Sequence, residues 1–245
     1  MKKVAYLLLT DLHFAFRMNA RKNYFKEIFD ILNKILEIKD KYEQQDYEVN
    51  LIILGDLFNR GISDPTEAMH ALELFKYVFS LFHNVYAVIG NHEFTYYKNN
   101  PFWFLVSQIE DESILKMHKK MKQPLGFTNY ITIPDRIIDG TVSFVFNHYG
   151  VGIKEITKGA NVNIGLFHQD IGSEQISKMY SKYEDIEKNE KLSYYDYCFF
   201  AHLHTASGKY NINDRFIAYY LQSLGRTNYT EVDDLDLERM IPVVK

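Results

Sequence analysis

Three short apolar runs separated by two helical segments constrain the fold of this chain more than any other feature. The runs Lys3 to Thr10, Val49 to Leu54 and Val85 to Ile89 have the composition of buried strands. Asn23 to Tyr42 repeats apolar residues at helical spacing, and a second helix is expected from Pro65, a favoured early helix position, to Phe82. This order of strands and helices is typical of a parallel or mixed sheet that is covered by helices.

From Gly126 onward the chain becomes rich in strand candidates. They are Thr128 to Ile133, Thr141 to Phe146, Asn161 to Phe167, Tyr195 to Ala201, Phe216 to Ser223 and Tyr229 to Val232. Further helices are predicted over Trp103 to Gln108 and Ser113 to Lys122, and a helix with a solvated loop over Ser173 to Glu190. We expect one α/β domain over residues 1–245, with a motif core over 3–232 and a short acidic tail over 233–245.

Charge and cysteine content limit the partners and the compartment of the protein. The formal net charge is −4, so binding of a polyanion depends on a local patch or on bound cations. The single Cys198 excludes an intramolecular disulfide and is expected to be buried, which suits a reducing compartment. The chain shows no signal peptide and no stretch near the roughly 18 apolar residues that span a membrane. We therefore expect a cytoplasmic protein with no membrane partner.

Five short clusters of chemically active residues each follow a strand candidate. They are Asp11-Leu12-His13, Gly55-Asp56, Gly90-Asn91-His92-Glu93, His168 and His202-Leu203-His204. Because open α/β sheets place their sites at the carboxyl ends of strands, the clusters are expected to converge in one cleft. Carboxylate, imidazole and amide oxygen suit divalent ions such as manganese, iron or zinc. Two such ions about 3.5–4 Å apart need a bridging carboxylate, for which Asp56 is the natural candidate.

The order of these motifs resembles that of the calcineurin-like metallophosphoesterase superfamily, and the resemblance extends from Asp11 to His204. Each motif alone also occurs by chance, whereas all five in this order are specific. The resemblance implies a four-layer sandwich of two mixed β-sheets flanked by helices, and a hydrolase of phosphoric esters. It also implies two divalent metal ions, with manganese as the first expectation and iron, zinc or nickel as alternatives.

The resemblance also assigns roles to individual residues. One metal site would consist of Asp11, His13, Asp56 and His204, and the other of Asp56, Asn91, His168 and His202. His92 would face the substrate and protonate the leaving oxygen, which suits the pKa range of imidazole. Arg60 is similar to a phosphate-binding arginine of related phosphatases, and a surface loop residue is the alternative. Asn59 departs from the family, which usually has Asp there, so a carboxylate that could orient a ligand histidine is missing.

Three short segments are similar to the nuclease subunits of double-strand-break repair complexes, the SbcD type. They are Gly55 to Phe58, Leu224 to Glu231 and Tyr96 to Asn100, the last of which is similar to a stretch in phage recombination endonuclease subunits of that type. This similarity implies a DNA nuclease with an SbcC-type ATPase partner. It also implies a homodimer formed through the early helices, although nothing in Asn23 to Tyr42 demands one. After the strands there is little room for the DNA-binding cap and the ATPase-docking helices of those nucleases.

Three functions therefore remain open. The first is a DNA nuclease, and the second is a phosphodiesterase or phosphatase for a small nucleotide or phosphomonoester, which the acidic charge favours. The third, a non-catalytic scaffold, is disfavoured because the expected ligands and His92 are all present. A basic run over Lys116 to Lys122 could contact nucleic acid or form a solvated helix end. Of Phe102, Trp103 and Phe104, at least two are expected in the core, and His148 is expected to line the cleft without binding metal.

Overall fold

Two β-sheets form the centre of the fold. The computed structural model describes residues 3–14, 24–59, 65–121, 130–156, 162–169, 190–202, 208–212, 216–221, 224 and 243–245. Within these ranges the first sheet contains β1 (Lys3–Leu9), β2 (Tyr47–Leu54), β3 (Val85–Val88), β4 (Val106–Ile109), β5 (Ile131–Ile133) and β12 (Val243–Val244). The second contains β6 (Arg136–Asp139), β7 (Val142–Asn147), β8 (Val162–His168), β9 (Tyr197–Ala201), β10 (Gly208–Ile212) and β11 (Phe216–Tyr220).

Both sheets are mixed, as predicted. The strand order is β12-β1-β2-β3-β5-β4 in the first sheet and β10-β11-β9-β8-β7-β6 in the second. In the first sheet only β12 is antiparallel to its neighbour, and in the second β6 and β10 are antiparallel at the two edges. Because the central strands of each sheet are parallel, their carboxyl ends meet at one edge of that sheet.

Helices cover the outer face of the first sheet. The described helices are α1 (Tyr24–Glu43), α2 (Pro65–Ser80), the single-turn α3 (Asn91–Thr95) and α4 (Glu112–Met121). Ile35 of α1 and Phe75 of α2 lie in the same buried cluster as Leu7 and Leu9 of β1, so the apolar stripes of both helices pack on the sheet. No helix in the described ranges is long and apolar enough to cross a membrane.

The strands are apolar on both faces because each face is buried against a different layer. In β1, Leu7 and Leu9 contact the helices, whereas Tyr6 and Leu8 lie between the two sheets. Successive side chains of a strand point to opposite faces of the sheet. When both faces are buried, every position is apolar and the strand appears in the sequence as a continuous apolar run. In β9 of the second sheet, Cys198 lies in a buried apolar cluster with Phe167 and Phe200, and burial raises the pKa of its thiol. Its predicted burial is confirmed.

Several short elements differ from the sequence predictions. The helix predicted over Trp103 to Gln108 is wrong, because a 3₁₀ turn over Pro101–Phe104 is followed by β4. Pairing with β5 overrides the local helical pattern there, and the Ser107 hydroxyl also donates to the Ile131 carbonyl at 3.0 Å. The edge strands β6, β10 and β12 were not predicted, and β12 falls within the predicted tail. Tyr229 to Val232 and residues 173–189 lie outside the described ranges.

Candidate metal centre

The site lies at the carboxyl ends of strands from both sheets. The first sheet contributes Asp11 and His13 after β1, Asp56 after β2, and Asn91 and His92 at the start of α3. The second sheet contributes His168, the last residue of β8, and His202, directly after β9. The predicted convergence of the clusters is therefore confirmed for these seven residues.

Two groups of potential ligand atoms share Asp56. His13, Asp56 and His92 form one group and Asp56, His168 and His202 form the other, and within each group the ligand atoms lie within 4.8 Å of one another. Asp56 Oδ2 is 3.3 Å from His168 Nε2 and 3.9 Å from His13 Nε2. A carboxylate that two groups share has the position that bridging between two cations requires.

Asp11 is a second buried carboxylate beside these groups. Its Oδ1 lies 3.7 Å from His13 Nε2 and 3.9 Å from His168 Nε2, and its Oδ2 accepts a hydrogen bond from the His202 backbone at 3.2 Å. Burial by itself raises the pKa of Asp11, but the imidazoles of His168 and His13 outweigh it and lower that pKa. The carboxylate is therefore ionised and can act as a ligand.

The contacts of Asn91 and His168 fit a cation. Asn91 Oδ1 lies 3.0 Å from His168 Nε2 and 2.8 Å from His202 Nδ1. His168 Nδ1 donates to the Leu54 carbonyl at 2.6 Å, so in the neutral ring Nε2 carries a lone pair. That lone pair faces the oxygens of Asn91 and Asp56, and only a proton or a cation between them makes this arrangement favourable. The mixed oxygen and nitrogen set suits a divalent ion.

The electrostatics of His168 point in the same direction. Burial alone would lower the pKa of His168, but the carboxylates of Asp56 and Asp11 raise it to about 10. The surroundings of this ring thus favour positive charge at the centre of the site. A divalent cation that binds to the lone pair of Nε2 satisfies the same demand.

The loops around Asp56 have an unusual backbone that two glycines permit. Gly55 has φ +79°, and a Cβ at this position would overlap the His168 ring. A Cβ at Gly90 would overlap Asp56 Oδ1 and lie 2.8 Å from Glu93 Oε2. Positive φ angles also occur at four site residues, namely Asp11, His13, Asp56 and His202. In the described residues only Asp46 shares this property among non-glycines, so backbone strain is concentrated at the site.

Glu93 is a buried carboxylate that joins two of these loops. Its Oε2 accepts hydrogen bonds from the backbone of Asp56 and Gly90 at 2.8 and 3.1 Å, and its Oε1 accepts one from Leu57 at 3.0 Å. Burial and the nearby Asp56 raise the pKa of Glu93 to about 8. No role was predicted for Glu93 from the sequence. The available signal was its place three residues after Gly90 at a helix start, where a glutamate reaches back to the backbone.

His92 lies on the more accessible side of the site. Its backbone donates to Asp56 Oδ1 at 2.8 Å, its Nε2 is 3.8 Å from Asp56 Oδ2, and its side chain is 17% exposed. Its ring centroid is 4.8 Å from that of His13 and 5.6 Å from that of Tyr96. Burial lowers the pKa of His92 to about 4, although Asp56 opposes this shift. The geometry therefore permits His92 to bind a metal or to face a substrate.

Two predicted site residues, His204 and Arg60, lie outside the described residues. Their predicted roles in metal binding and phosphate binding stay predictions. The neighbouring Asn59 is described: it is half-buried, and its backbone donates to the Phe14 carbonyl at 3.0 Å.

Other residues that the sequence analysis considered have different positions. His148 contacts Ile89 and Pro134 and belongs to neither group of potential ligands, so the expectation that it lines the cleft is wrong. Phe102 and Trp103 are fully buried whereas Phe104 is 44% exposed, which confirms the expectation that two of the three aromatic residues lie in the core. Trp103 Nε1 also donates to the Glu93 carbonyl at 3.3 Å.

The basic run over residues 116–122 is described as far as residue 121. Lys116 contacts Glu112 at 3.3 Å on the exposed face of α4, and His118 is buried with its ring 5.4 Å from that of Trp103. Burial also lowers the pKa of His118. His118 is therefore buried away from any nucleic-acid backbone, whereas Lys116 is exposed beside Glu112.

One of the comparisons with known proteins, that with protein families, agrees with this geometry. A protein-family comparison matches residues 5–206 to the calcineurin-like phosphoesterases. No curated protein matches the chain. One solved structure with some similarity is a Staphylococcus aureus protein designated a 5′-nucleotidase, in complex with alpha-ketoglutarate, with 14% identity and a TM-score of 0.47. The match covers 91% of this chain and 49% of that protein, so the chain spans about half of its length. The family match shows that the chain belongs to the calcineurin-like phosphoesterases, metal-dependent hydrolases of phosphoric esters that use a pair of divalent ions.

Proposed function

We propose that this protein hydrolyses phosphodiester bonds with two divalent metal ions, and that its substrate is DNA. The observation that carries the proposed chemistry is the position of Asp56, whose carboxylate belongs to both groups of potential ligands. A second carboxylate, Asp11, and the amide oxygen of Asn91 supply further oxygen donors on either side. Such a set of donors is unfavourable without cations and favourable with them.

The proposed ligand sets follow the family motifs. Asp11, His13, Asp56 and His204 would hold one ion, and Asp56, Asn91, His168 and His202 would hold the other. When bound, such a pair lowers the pKa of a water between the ions and neutralises the non-bridging oxygens of a phosphate. We expect manganese first, with iron, zinc or nickel as alternatives.

The residues of the chain have separate tasks in this reaction. Asp56 and Asp11 balance the positive charge of the centre, and Glu93 holds the backbone of Asp56 and Gly90 in place. His92 is proposed as the general acid, because the family motif places it there and its Nε2 lies 3.8 Å from Asp56 Oδ2 with the side chain 17% exposed. A phosphate next to His92 favours its protonated ring, and Nε2 then donates this proton to the leaving alkoxide.

Two classes of substrate are compatible with this centre. The similarity of residues 55–58, 96–100 and 224–231 to SbcD-type nucleases supports DNA, and with it an SbcC-type ATPase partner and a homodimer. Tyr96 in the second of these segments lies beside His92 and is 39% exposed, so it is accessible to a substrate. The net charge of −4 favours instead a small nucleotide or a phosphomonoester, because it offers no global attraction for a polyanion.

Cleavage of end-labelled single- and double-stranded DNA with Mn²⁺ tests the proposal. Wild type is compared with His92→Ala and with the control His83→Ala. His83 suits this purpose because it is 53% exposed and contacts Glu48 at the amino end of β3, whereas the site lies at the carboxyl ends of the strands. We expect His92→Ala to retain its metals and lose about 10²–10⁴-fold in rate, the usual contribution of a general acid. Intact DNA together with hydrolysis of bis-nitrophenyl phosphate would support the small-nucleotide alternative.

A further inference from the structure

His148 is a fully buried histidine outside both groups of potential metal ligands. It follows β7 of the second sheet, yet its imidazole contacts the end of the first sheet. Its Nδ1 accepts a hydrogen bond from the backbone N–H of Ile89 at 3.1 Å. The backbone of the next residue, Tyr149, donates to the Ile89 carbonyl at 2.9 Å. Both backbone groups of Ile89 are therefore bound by residues that directly follow β7 of the other sheet.

Ile89 directly precedes the segment that contributes Asn91 and His92 to the site. A shift of Ile89 along or across the sheet would carry Asn91 with it, because only Gly90 separates the two. Asn91 is also one of the residues through which the two sheets meet in the site, since its Oδ1 contacts His168 and His202 of the second sheet at 3.0 and 2.8 Å. The position of Ile89 relative to the second sheet thus determines whether these ligands meet.

The imidazole of His148 has one defined orientation and tautomer. Because Nδ1 accepts the Ile89 hydrogen bond, the proton is on Nε2, which donates to the Pro134 carbonyl at 3.3 Å. Asp111 Oδ2 lies 3.7 Å from Nε2, and Lys154 pairs with Asp111 at 2.5 Å. Burial and the nearby ammonium of Lys154 both favour the neutral ring. A protonated Nδ1 could not accept the Ile89 hydrogen bond, so the neutral ring maintains this contact.

We propose that His148 is a positioning residue that holds Ile89, and through it Asn91, against the second sheet, so that the metal ligands of the two sheets are aligned before metal binds. This role rests on the metal centre of the proposed function and adds a residue that lies outside the motifs. It differs from a general role in stability because it acts through one hydrogen bond, that of Nδ1 with Ile89.

Two substitutions separate the two hydrogen bonds of the ring. In His148→Asn the side-chain oxygen can replace Nδ1 as the acceptor for Ile89, whereas in His148→Gln the side-chain amide can replace Nε2 as the donor to Pro134. We expect His148→Asn to bind Mn²⁺ with nearly the wild-type affinity and His148→Gln to bind about 10–100-fold more weakly, the usual effect of removing a group that orients a ligand. Asp135→Asn, which changes a 62% exposed partner of Lys154, serves as the control with unchanged affinity.

Calorimetric Mn²⁺ titration of the metal-stripped proteins gives the affinities, and urea unfolding with chelator gives their stabilities. Equal Mn²⁺ affinities for His148→Asn and His148→Gln would overturn the proposal, whatever their stabilities. Hydrogen exchange of the wild type provides a second test that does not depend on either variant folding. The Ile89 amide should be protected without metal to the same degree as the amides of β3, and exchange that becomes slow only after Mn²⁺ binds would contradict prior alignment.

The two proposals fail in different ways. A wild type that binds no Mn²⁺ would contradict the proposed function, and the exchange of Ile89 would then show only whether His148 holds this residue against the second sheet. A wild type that binds Mn²⁺ with identical affinities for the two variants would leave the metal centre standing and remove His148 from it.

Discussion

Substitution of Gly90 by alanine should test how closely the loops pack around Asp56. Gly90 has φ −88°, a conformation that alanine adopts without strain, so the effect of the substitution is purely steric. The new Cβ would be 2.5 Å from Asp56 N and 2.8 Å from Glu93 Oε2. Since ordinary contacts begin near 3.4 Å, the Asp56 backbone has to move by about 0.9 Å in this closely packed site.

This movement would break the hydrogen bond between Asp56 N and Glu93 and displace the shared carboxylate. We expect Gly90→Ala to lower the free energy of unfolding by about 1–3 kcal/mol, as overpacking does, and to weaken Mn²⁺ binding about tenfold or more. Gly140→Ala is the matched control, because its Cβ has nothing within 4 Å and meets only the strain of φ +58°.

That control should lose roughly 1–2 kcal/mol of stability and retain its affinity for Mn²⁺. Urea unfolding with chelator and Mn²⁺ titration measure the two quantities separately. Wild-type affinity in Gly90→Ala would refute the reasoning, because it would mean that Asp56 can move without consequence for the metals.

Three further predictions concern the metals and pH. Asp56→Asn should lose most of its bound metal and its turnover, because both groups of ligands depend on this carboxylate. Elemental analysis measures the bound metal, with Asp135→Asn as the control. Addition of Mn²⁺ at 100 times its Kd to the metal-free protein should raise the free energy of unfolding by about 2.7 kcal/mol. Scanning calorimetry should show this as a rise in Tm of roughly 5–10 °C. Burial and Lys154 lower the pKa of His148 to about 3, although Asp111 opposes the shift. Between about pH 6 and pH 4 the unfolded chain therefore binds a proton at His148 that the native ring does not bind. As the pH falls through this range, the free energy of unfolding of the wild type should decrease by about 1.4 kcal/mol per pH unit more than that of His148→Asn. Parallel stability curves from urea unfolding at several pH values would contradict that assignment.

The strands and helices that the sequence predicted well are those with buried faces. β1, β2 and β3 are continuous apolar runs because both faces of the first sheet are covered, and α1 and α2 carry the stripes that cover one of them. The edge strands lack this signal. In β6 the exposed Arg136 and Ile138 alternate with half-buried residues, so only pairing with β7 identifies the strand. For such elements the tertiary pairing, and not the local pattern, determines the structure.

The site residues could be predicted for a related reason. Asp11, Asp56 and His168 each follow a recognisable strand, and parallel strands bring their carboxyl ends together, so local sequence and a general rule of topology suffice. The contacts of Glu93 were partly within reach, because its position after Gly90 is that of a capping box. The role of His148 was not, because it depends on a contact with Ile89 across 59 positions of the chain and between two sheets.

The division of the site between two sheets explains why residues outside the motifs matter to it. The first sheet carries the carboxylates and Asn91, and the second carries His168 and His202, which contact Asp56, Asp11 and Asn91 directly. The packing of apolar side chains between the sheets tolerates exchanges that conserve volume, so a conservative change there need not move a ligand atom. Hydrogen bonds are directional, and those from His168 to Leu54 and from Ile89 to His148 cross the interface at the edge that holds the site. The geometry of the metal ligands should therefore respond to changes at His148 more than to conservative changes among the buried apolar residues between the sheets.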